Sequence, residues 1–588
     1  IILTLLALLA LVIGGCDPSG SPRLPRQHVA RVQGFRVILD DAHLADPATL
    51  KVLARVHRRA TEGAVYFALF GRPELRERAP VGLFEVASQW VQLGGLSRRA
   101  AERVVQGALG DQVGPETVER IVAHADGNPL FLHELCAARL DRESVTPAVP
   151  PNVLASVEAR LLRLEPSARK ILRAASVFGD TFWQGGVARL LGPDALETRN
   201  LGDWLVQLVD RGILVPRRET RFAGEPELAF HHPLLREAAY GMLATEDREE
   251  GHRRAAEWLL HAGERHSAVV GEHLSAAGSG DLAAGFFLEA ASGSLMRNDL
   301  SHAVEHAERA IGAGLDDARR ARAHTILCEA FHWLSEQDRG AEHGRAALSL
   351  AAPATQSWMD AASALVRCLA RKGDLELLEV ARELGRAARQ DDALMPNPAA
   401  LPDIVATALR AGLRALADDL LDVFGQRLAR AGDPVGRAHI LTCRSWLAMF
   451  DGDYAACIAY DTEVLRCMTE AGDLRQAALA RVHVGYDNLI LGVYQRAAEE
   501  LTAAQEEAEQ LGVDAVEQMA KHNLALALHR LGERDRGLEL QRECLAHALG
   551  SHNALEEGHA RHYLGIMLFE RGELEASKTE LERVLSAM

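Results

Sequence analysis

The chain has 588 residues, enough for several domains of ordinary size, and its aromatic content of only 5% sits in a background of Ala, Leu, Arg and Glu that favours helices. A formal net charge of −17, with acids and bases interleaved rather than blocked, argues against a general nucleic-acid or anionic-membrane surface and fits solvated helix faces. The eight cysteines (16, 136, 328, 368, 443, 457, 467 and 544) form no C-x-x-C pair, so small buried thiols in a reducing compartment are the plain reading.

The chain opens on Ile1 rather than Met, which points to an incomplete or processed sequence. Residues 1–13 are apolar apart from Thr4, yet thirteen residues are too few to span a bilayer as a helix. Ile13-Gly14-Gly15-Cys16 resembles a bacterial lipobox, whose Cys is lipidated, although no basic stretch precedes it. Membrane anchoring therefore depends on lipid at Cys16, and the regulator-like sequence downstream favours a cytoplasmic location. Residues 1–26 read as an apolar segment followed by a Pro/Ser/Gly-rich linker.

Residues 27–145 have the order of an α/β fragment. Val37-Ile38-Leu39 runs into Asp40-Asp41, as a buried parallel strand delivers carboxylates to the edge where ligands sit. An amphipathic helix follows at 47–59, with Leu50, Leu53 and Val56 on one face. Residues 64–70 read as a second buried strand ending at Gly71-Arg72-Pro73-Glu74, and 84–93 as a short third strand. Ser97 caps a helix to Leu109, another runs from Pro115 to Ala125, and Asp126-Gly127-Asn128-Pro129 separates it from a helix over 130–140.

The series V-I-L-D-D-A-H-L-A-D, F-G-R-P-E, L-x-x-L-S-x-x-A-A and D-G-N-P-L-F-L-H-E-L resembles the second half of a STAND-class ATPase, one of the AAA-related regulatory ATPases found in bacteria fused to kinases, cyclases or transcription-factor domains. The resemblance implies ATP or ADP with Mg²⁺. It makes Asp40 the Mg²⁺ ligand, Asp41 the catalytic acid, Arg72 the phosphate sensor and Pro129 a contact to the adenine, and it gives His43 a local structural role. The phosphate loop G-x-x-x-x-G-K-[ST] of such proteins is missing: the five lysines (51, 170, 372, 521 and 578) never follow a glycine, and 36 residues before Val37 are too few for a strand, loop and helix. The site thus reads as degenerate, and the chain as given is expected to bind no nucleotide and hydrolyse none.

Residues 146–262 follow a Pro-rich hinge. Helices at 152–164, 167–177 and 201–209 lead into a short strand at 213–215, a charged turn, and a second strand at 227–230, the order of a winged helix. The acid balance favours a regulatory arm over a DNA reader. Phe230-His231-His232-Pro233-Leu234-Leu235-Arg236-Glu237, ending at Tyr240, resembles the STAND pattern F-x-H-x-L-L-R-E-x-x-Y, which implies that His232 senses nucleotide phosphates; a His capping the strand-to-helix corner is the structural alternative.

Residues 263–588 carry a repeat. Gly373, Gly412, Gly452, Gly492, Gly532 and Gly572 recur at spacings of 39, 40, 40, 40 and 40, each between two amphipathic helical patterns. Small residues seven positions before the later glycines (Ser445, Gly485, Ala525, Gly565) let paired helices approach. Together with the period they resemble a tetratricopeptide array with an extended repeat, about eight hairpins in all, with looser ones at 271–297 and 317–352. Ile458, Val464 and Leu465 read as core. Such arrays bind a protein partner on a concave face, where Asn488 and Asn523 are candidate contacts. The uncapped apolar helix at 581–588 is completed either by a further domain or by a homo-oligomer.

The expected fold is mostly α: an α/β ATPase remnant, a winged-helix-like domain and a tetratricopeptide-like solenoid. The expected function is a regulatory signal-transduction scaffold that binds protein partners. The rivals are an active ATP-dependent regulator whose phosphate loop lies upstream and a lipoprotein adaptor.

Overall fold

The computed structural model describes residues 35–39, 42, 45, 49, 50, 53, 65–78, 90–110, 113–140, 153–192, 198–431, 433–551 and 554–587. It is mostly α, with a small α/β part and a long helical solenoid. The chain divides into two compact units, Ile1–Ser156 and Val157–Met588.

In the first unit β1 (Phe35–Leu39) and β2 (Val65–Leu69) pair in parallel, with Phe35 opposite Val65 and Leu39 opposite Leu69. The Phe70 N–H donates to the Leu39 carbonyl at 2.8 Å, continuing the ladder. The pleat sends alternate side chains to opposite faces. Leu39 and Leu69 join Ala42, Leu50, Leu53 and Leu75 of α1 (Leu75–Arg78) in a small core, whereas Ile38 is 68% exposed. The described part of this sheet is therefore covered on one face only, where the sequence suggests burial on both.

Helices α2 (Arg98–Leu109), α3 (Pro115–Ala125) and α4 (Pro129–Leu140) close over Val105, Ile121, Leu132 and their neighbours. Ser97 caps α2, its Oγ accepting from the Ala100 N–H. Of the expected third strand, 84–89 lie outside the described residues and 90–93 are not in a strand. Just beyond, the Leu96 N–H donates to the Gly127 carbonyl at 2.7 Å, so this backbone pairs with the α3–α4 turn. Gly127 is required there: its φ is +74°, and a Cβ would lie 2.9 Å from the Leu96 carbonyl oxygen.

The division between units falls in α5 (Val153–Leu162). Then come α6 (Pro166–Phe178), β3 (Thr181–Trp183), α7 (Gln184–Leu191), α8 (Thr198–Asp210), β4 (Leu214–Pro216), β5 (Glu227–Phe230), α9 (Pro233–Gly241) and α10 (Thr245–Ala262). The antiparallel sheet has the order β3-β5-β4. Its first strand is three residues long and runs straight into a helix, which is why the sequence pattern shows only two strands. Trp183 stacks on Trp258 of α10 at 5.6 Å and meets Phe222 of the β4–β5 turn at 4.8 Å, so aromatic packing pins that turn to the helix.

The array continues with α11 (Ser267–Ala276), α12 (Gly280–Met296), α13 (Leu300–Gly314), α14 (Asp317–Trp333), α15 (Gln337–Leu350), α16 (Gln356–Lys372), α17 (Glu376–Gln390), α18 (Ala400–Arg410) and α19 (Arg414–Ala431). It ends with α20 (Pro434–Phe450), α21 (Tyr454–Ala471), α22 (Leu474–Ile490), α23 (Tyr494–Leu511), α24 (Asp514–Leu531), α25 (Arg534–Gly550), α26 (Ala554–Glu570) and α27 (Leu574–Ala587). The glycine series has two members that are not glycine. Asn298 (φ 61°) and Ser335 (φ 63°) take the left-handed turn position ahead of Gly373, Gly412, Gly452, Gly492, Gly532 and Gly572, all at positive φ. The turn positions thus number eight, at spacings of 37, 38, 39, 40, 40, 40 and 40. The first hairpin is accordingly α12–α13 rather than 271–297.

Gly472 and Gly512 repeat the same cap between hairpins: the Gly472 and Asp473 N–H groups donate to the Thr469 and Met468 carbonyls, the reciprocal bonds of a Schellman end. A tetratricopeptide unit usually has about 34 residues. Helices of 17 or 18 residues joined by short turns account for the 40-residue period here, so the helices, not the loops, are extended.

Small residues do bring the helices together. A Cβ on Gly485 would lie 2.6 Å from Leu501 Cγ, and one on Gly565 2.7 Å from Leu581 Cγ, the same contact two repeats on. The solenoid also coils back on itself. Leu300 and Trp333 pack into the core of α22–α26 with Val482, Leu524 and Leu568, and Asn298 Nδ2 donates to the Leu511 carbonyl.

Candidate functional site: the arginine-lined interior of the array

Of the residues singled out for nucleotide chemistry, the structure describes Arg72 and Pro129 in the first unit and His232 in the second. Asp40, Asp41 and His43 lie outside the described residues; β1 ends at Leu39, immediately before them. Arg72 is exposed beyond the end of β2, and its carbonyl accepts from the Leu75 N–H. Pro129 is exposed at the first position of α4, where Asn128 Oδ1 accepts from the Phe131 N–H at 3.1 Å. No hydrogen bond links Arg72 to Pro129 among the described residues.

His232 caps α9: its Nδ1 accepts from the Leu234 N–H at 3.1 Å. The rest of its motif ties helices together. Arg236 Nε donates to the Ser176 carbonyl of α6, and its guanidinium lies 4.8 Å from the Tyr240 ring. The Tyr240 hydroxyl bonds His252 Nε2 at 2.9 Å, and His252 Nδ1 meets His273 Nδ1 at 2.9 Å, which joins α9, α10 and α11. Burial holds both imidazoles down at about 4, with Arg236 adding to the effect on His252 and His252 to that on His273, so the pair is neutral and shares one N–H donor.

Chemistry that the sequence does not flag collects where the array coils. Four arginines sit on first helices of the hairpins: Arg367 and Arg371 on α16, Arg410 on α18 and Arg475 on α22; Arg367 is buried, Arg371 and Arg475 are half-buried and Arg410 is exposed. No carboxylate of the described residues comes within ion-pair range of these four. Many exposed arginines elsewhere in the array are paired, as in Arg345–Glu376, Arg389–Asp419 and Arg414–Asp451.

Three of them are held by rings and neutral groups instead. Arg367 and Arg475 lie 5.1 and 4.8 Å from the Trp333 ring, and Arg410 lies 5.9 Å from Trp446. Arg367 Nη2 meets His332 Nε2 at 3.1 Å, and Arg410 Nη2 donates to Thr407 Oγ1 at 3.2 Å. Arg367 Nε and Arg475 Nη1 are buried with no hydrogen-bond partner.

The surroundings carry the mark of this positive cluster. Burial lowers the guanidinium affinities of Arg371, Arg410 and Arg475 for their protons. Burial, reinforced by Arg367, holds His332 well below the usual imidazole range and His439 at about 4. Glu329, Asp403, Asp473 and Glu556 are nearby acids; burial raises Glu329, Asp403 and Glu556 against the opposing pull of the arginines. Glu329, one helical turn before Trp333, also lines a groove of about 750 Å³ with Met296, Ile326, Asp360 and Asn397.

Asn488 and Asn523 are not free contact residues. Both are buried, and their Nδ2 atoms donate back to the Val484 and Met519 carbonyls of their own helices. Among the described residues no group of His, Cys, Asp and Glu could hold a metal, the seven cysteines are free and buried, and no helix is long and apolar enough to cross a membrane.

No family model and no curated protein matches the chain. Among solved structures it is similar to a signal transduction ATPase with numerous domains (STAND) protein with a tetratricopeptide repeat sensor from Pyrococcus horikoshii, at 15% identity and a TM-score of 0.49, over 93% of this chain and 80% of that one. It is also similar to a Rap protein complexed with competence and sporulation factor, at 13% identity and a TM-score of 0.31, over 74% of this chain and 98% of the other. A third is aspartyl phosphate phosphatase F from Bacillus subtilis, at 10% identity and a TM-score of 0.28, covering 85% and 96%.

Proposed function

We propose that the chain is a regulatory scaffold of the signal-transduction type, whose coiled array holds a segment of a protein partner in its interior. The observation that carries this reading is the set of guanidinium groups gathered on first helices around Trp333 and Trp446, which have no carboxylate within ion-pair range among the described residues and two of which keep a buried N–H without an acceptor. Donors left unsatisfied at partly buried positions cost stability unless something binds them. A fold that keeps several of them together is suited to binding.

The α/β part, with its strand leading to Asp40 and Asp41, and the winged-helix-like sheet with His232 are proposed as the remains of a STAND-type switch. Asp40, Arg72, Pro129 and His232 would then face a nucleotide only when a phosphate loop is supplied. The chain as given is proposed to hydrolyse no ATP, because no lysine follows a glycine to cradle phosphates.

Two measurements test this. Selection of displayed random 12-residue peptides against the 588-residue chain should yield binders that compete with one another and that photo-crosslink to α14, α16 or α22. Failure to select any binder removes the scaffold reading. Steady release of phosphate from MgATP, lost in Asp40→Asn with Asp41→Asn, removes the reading of the α/β part.

A further inference from the structure

We infer that the segment taken by the array interior is acidic, its carboxylates bound by Arg367, Arg371, Arg410 and Arg475; this rests on the interior being the partner site. The chain carries a net charge of −17, yet no carboxylate of the described residues stands within ion-pair range of any of the four guanidinium groups; Glu329, Asp403, Asp473 and Glu556 act on them from farther off. Acids pair arginines such as Arg345, Arg389 and Arg414 elsewhere in the array, and among the described residues none comes within ion-pair range of these four.

Holding a guanidinium by a ring face leaves its N–H edge available. Trp333 does this for Arg367 and Arg475 together, bringing side chains from α16 and α22, more than a hundred residues apart, to one indole. Arg367 is 6% exposed with Nε unpartnered, and Arg475 Nη1 is likewise a buried donor with no acceptor. The fork of a guanidinium matches a carboxylate with two parallel bonds, which are worth more away from bulk water.

The arrangement also selects the kind of anion. The four groups are spread over three helices rather than gathered at one point, and Asp403 and Glu329 lie among them. A compact polyphosphate would meet those acids at once. An extended peptide with spaced carboxylates can alternate with them, and its uncharged stretches have the neighbouring groove of about 750 Å³, lined by Met296 and Ile326, to fill.

The experiment is the peptide selection above, run in parallel on the natural chain and on R367Q/R475Q. The natural chain should return peptides enriched in Asp and Glu, whose affinity falls at least tenfold in the variant and declines with added salt. Because Arg475 is an unpaired, partly buried charge, R475Q should leave the melting temperature of the free chain unchanged or raised, whereas a structural arginine would lower it. Should R367Q/R475Q fail to fold, R410Q, at a solvent-reaching position, is the substitute and should weaken the same peptides at least threefold. Binders without acidic enrichment, equally tight in the variant, overturn the inference and leave the scaffold reading standing. A preference for inorganic pyrophosphate or a 12-residue oligonucleotide over every acidic peptide also overturns it. A selection that returns no binder removes both.

Discussion

Asn298 Nδ2 donates to the main-chain carbonyl of Leu511 across 3.0 Å, although 213 residues separate them. Asn298 is also a turn residue, at φ 61° between α12 and α13. One side chain therefore supports both a local turn and the point where the solenoid meets its own later helices. Asn tolerates this left-handed conformation better than most residues, and glycine tolerates it best. Asn298→Gly should keep the turn and lose only the bond, at a cost of about 1 kcal/mol. Asn298→Ala should lose both, at about 2 kcal/mol or more. Hydrogen exchange should quicken around 508–514 in both variants; unchanged protection there would show that the coil is closed by packing at Trp333 alone.

Asp461 and Asp487 occupy positions that their neighbours fill with other groups: forty residues on from Asp461 stands Leu501, and from Asp487, Ala527. Both are buried, and Ser445 Oγ donates to Asp461 Oδ2 at 2.7 Å, while neither oxygen of Asp487 has a donor. Burial first, then the facing Asp461, pushes Asp487 up to about 8, and burial raises Asp461 too, against the pull of His483. An unfolded Asp ionises near 4. Between those values the folded chain binds more protons than the unfolded one, so stability is full below the lower value and falls as pH rises through the upper. Asp487→Asn should melt several degrees higher than the natural chain at pH 8.5 and close to it at pH 5. Equal melting temperatures at both pH values would mean that the pair ionises without cost.

His252 and His273 give the opposite slope. With folded values near 4 and an unfolded value of about 6.5, the unfolded state binds more protons in between, so this contribution is present above pH 6.5 and is lost as pH falls toward 4. The Tyr240–His252–His273 chain joins α9, α10 and α11, so the acid transition should begin there. Replacing both imidazoles, as His252→Gln with His273→Gln, should flatten the fall in melting temperature between pH 6.5 and 4.5. A fall as steep as the natural chain's would place the acid-sensitive groups elsewhere.

Much of the array is readable because its grammar is local. A positive-φ glycine every forty residues and small residues at fixed offsets identify hairpins before any contact is known, and Gly485 against Leu501 shows why the offset recurs. The early hairpins are hidden because Asn298 and Ser335 adopt the glycine conformation without being glycine. β3 is hidden because three residues are too few to show alternation. The interior arginines are hidden for a different reason. Arg367 and Arg475 sit in the same kind of helical pattern as the paired arginines, and only the coiling that brings both to Trp333 distinguishes them. Of the nucleotide motifs, the structure adds local roles: His232 is a helix cap and Tyr240 a hydrogen-bonding partner of His252.

Two glycines of the array separate backbone strain from helix contact. Gly472 sits between α21 and α22 at φ 74° with open space around a built Cβ. An alanine there meets nothing but must hold a left-handed backbone, which costs about 1–2 kcal/mol. Gly537 on α25 has ordinary helical φ, but its Cβ would lie 2.5 Å from the Ala525 carbonyl oxygen and 2.9 Å from the His529 nitrogen, both backbone atoms of α24. Backbone cannot rotate away as a side chain can, so Gly537→Ala must push the two helices apart, at about 1–3 kcal/mol or more. The expected readout differs as well as the size. Gly472→Ala should lower the melting temperature while leaving the repeat's packing intact, so a glycine-tolerant D-alanine at the same position restores it. Gly537→Ala should also loosen the α24–α25 hairpin, read as faster exchange in 520–545, and a D-alanine there should not restore it. Matching losses with identical exchange patterns would mean that the two glycines serve one and the same purpose.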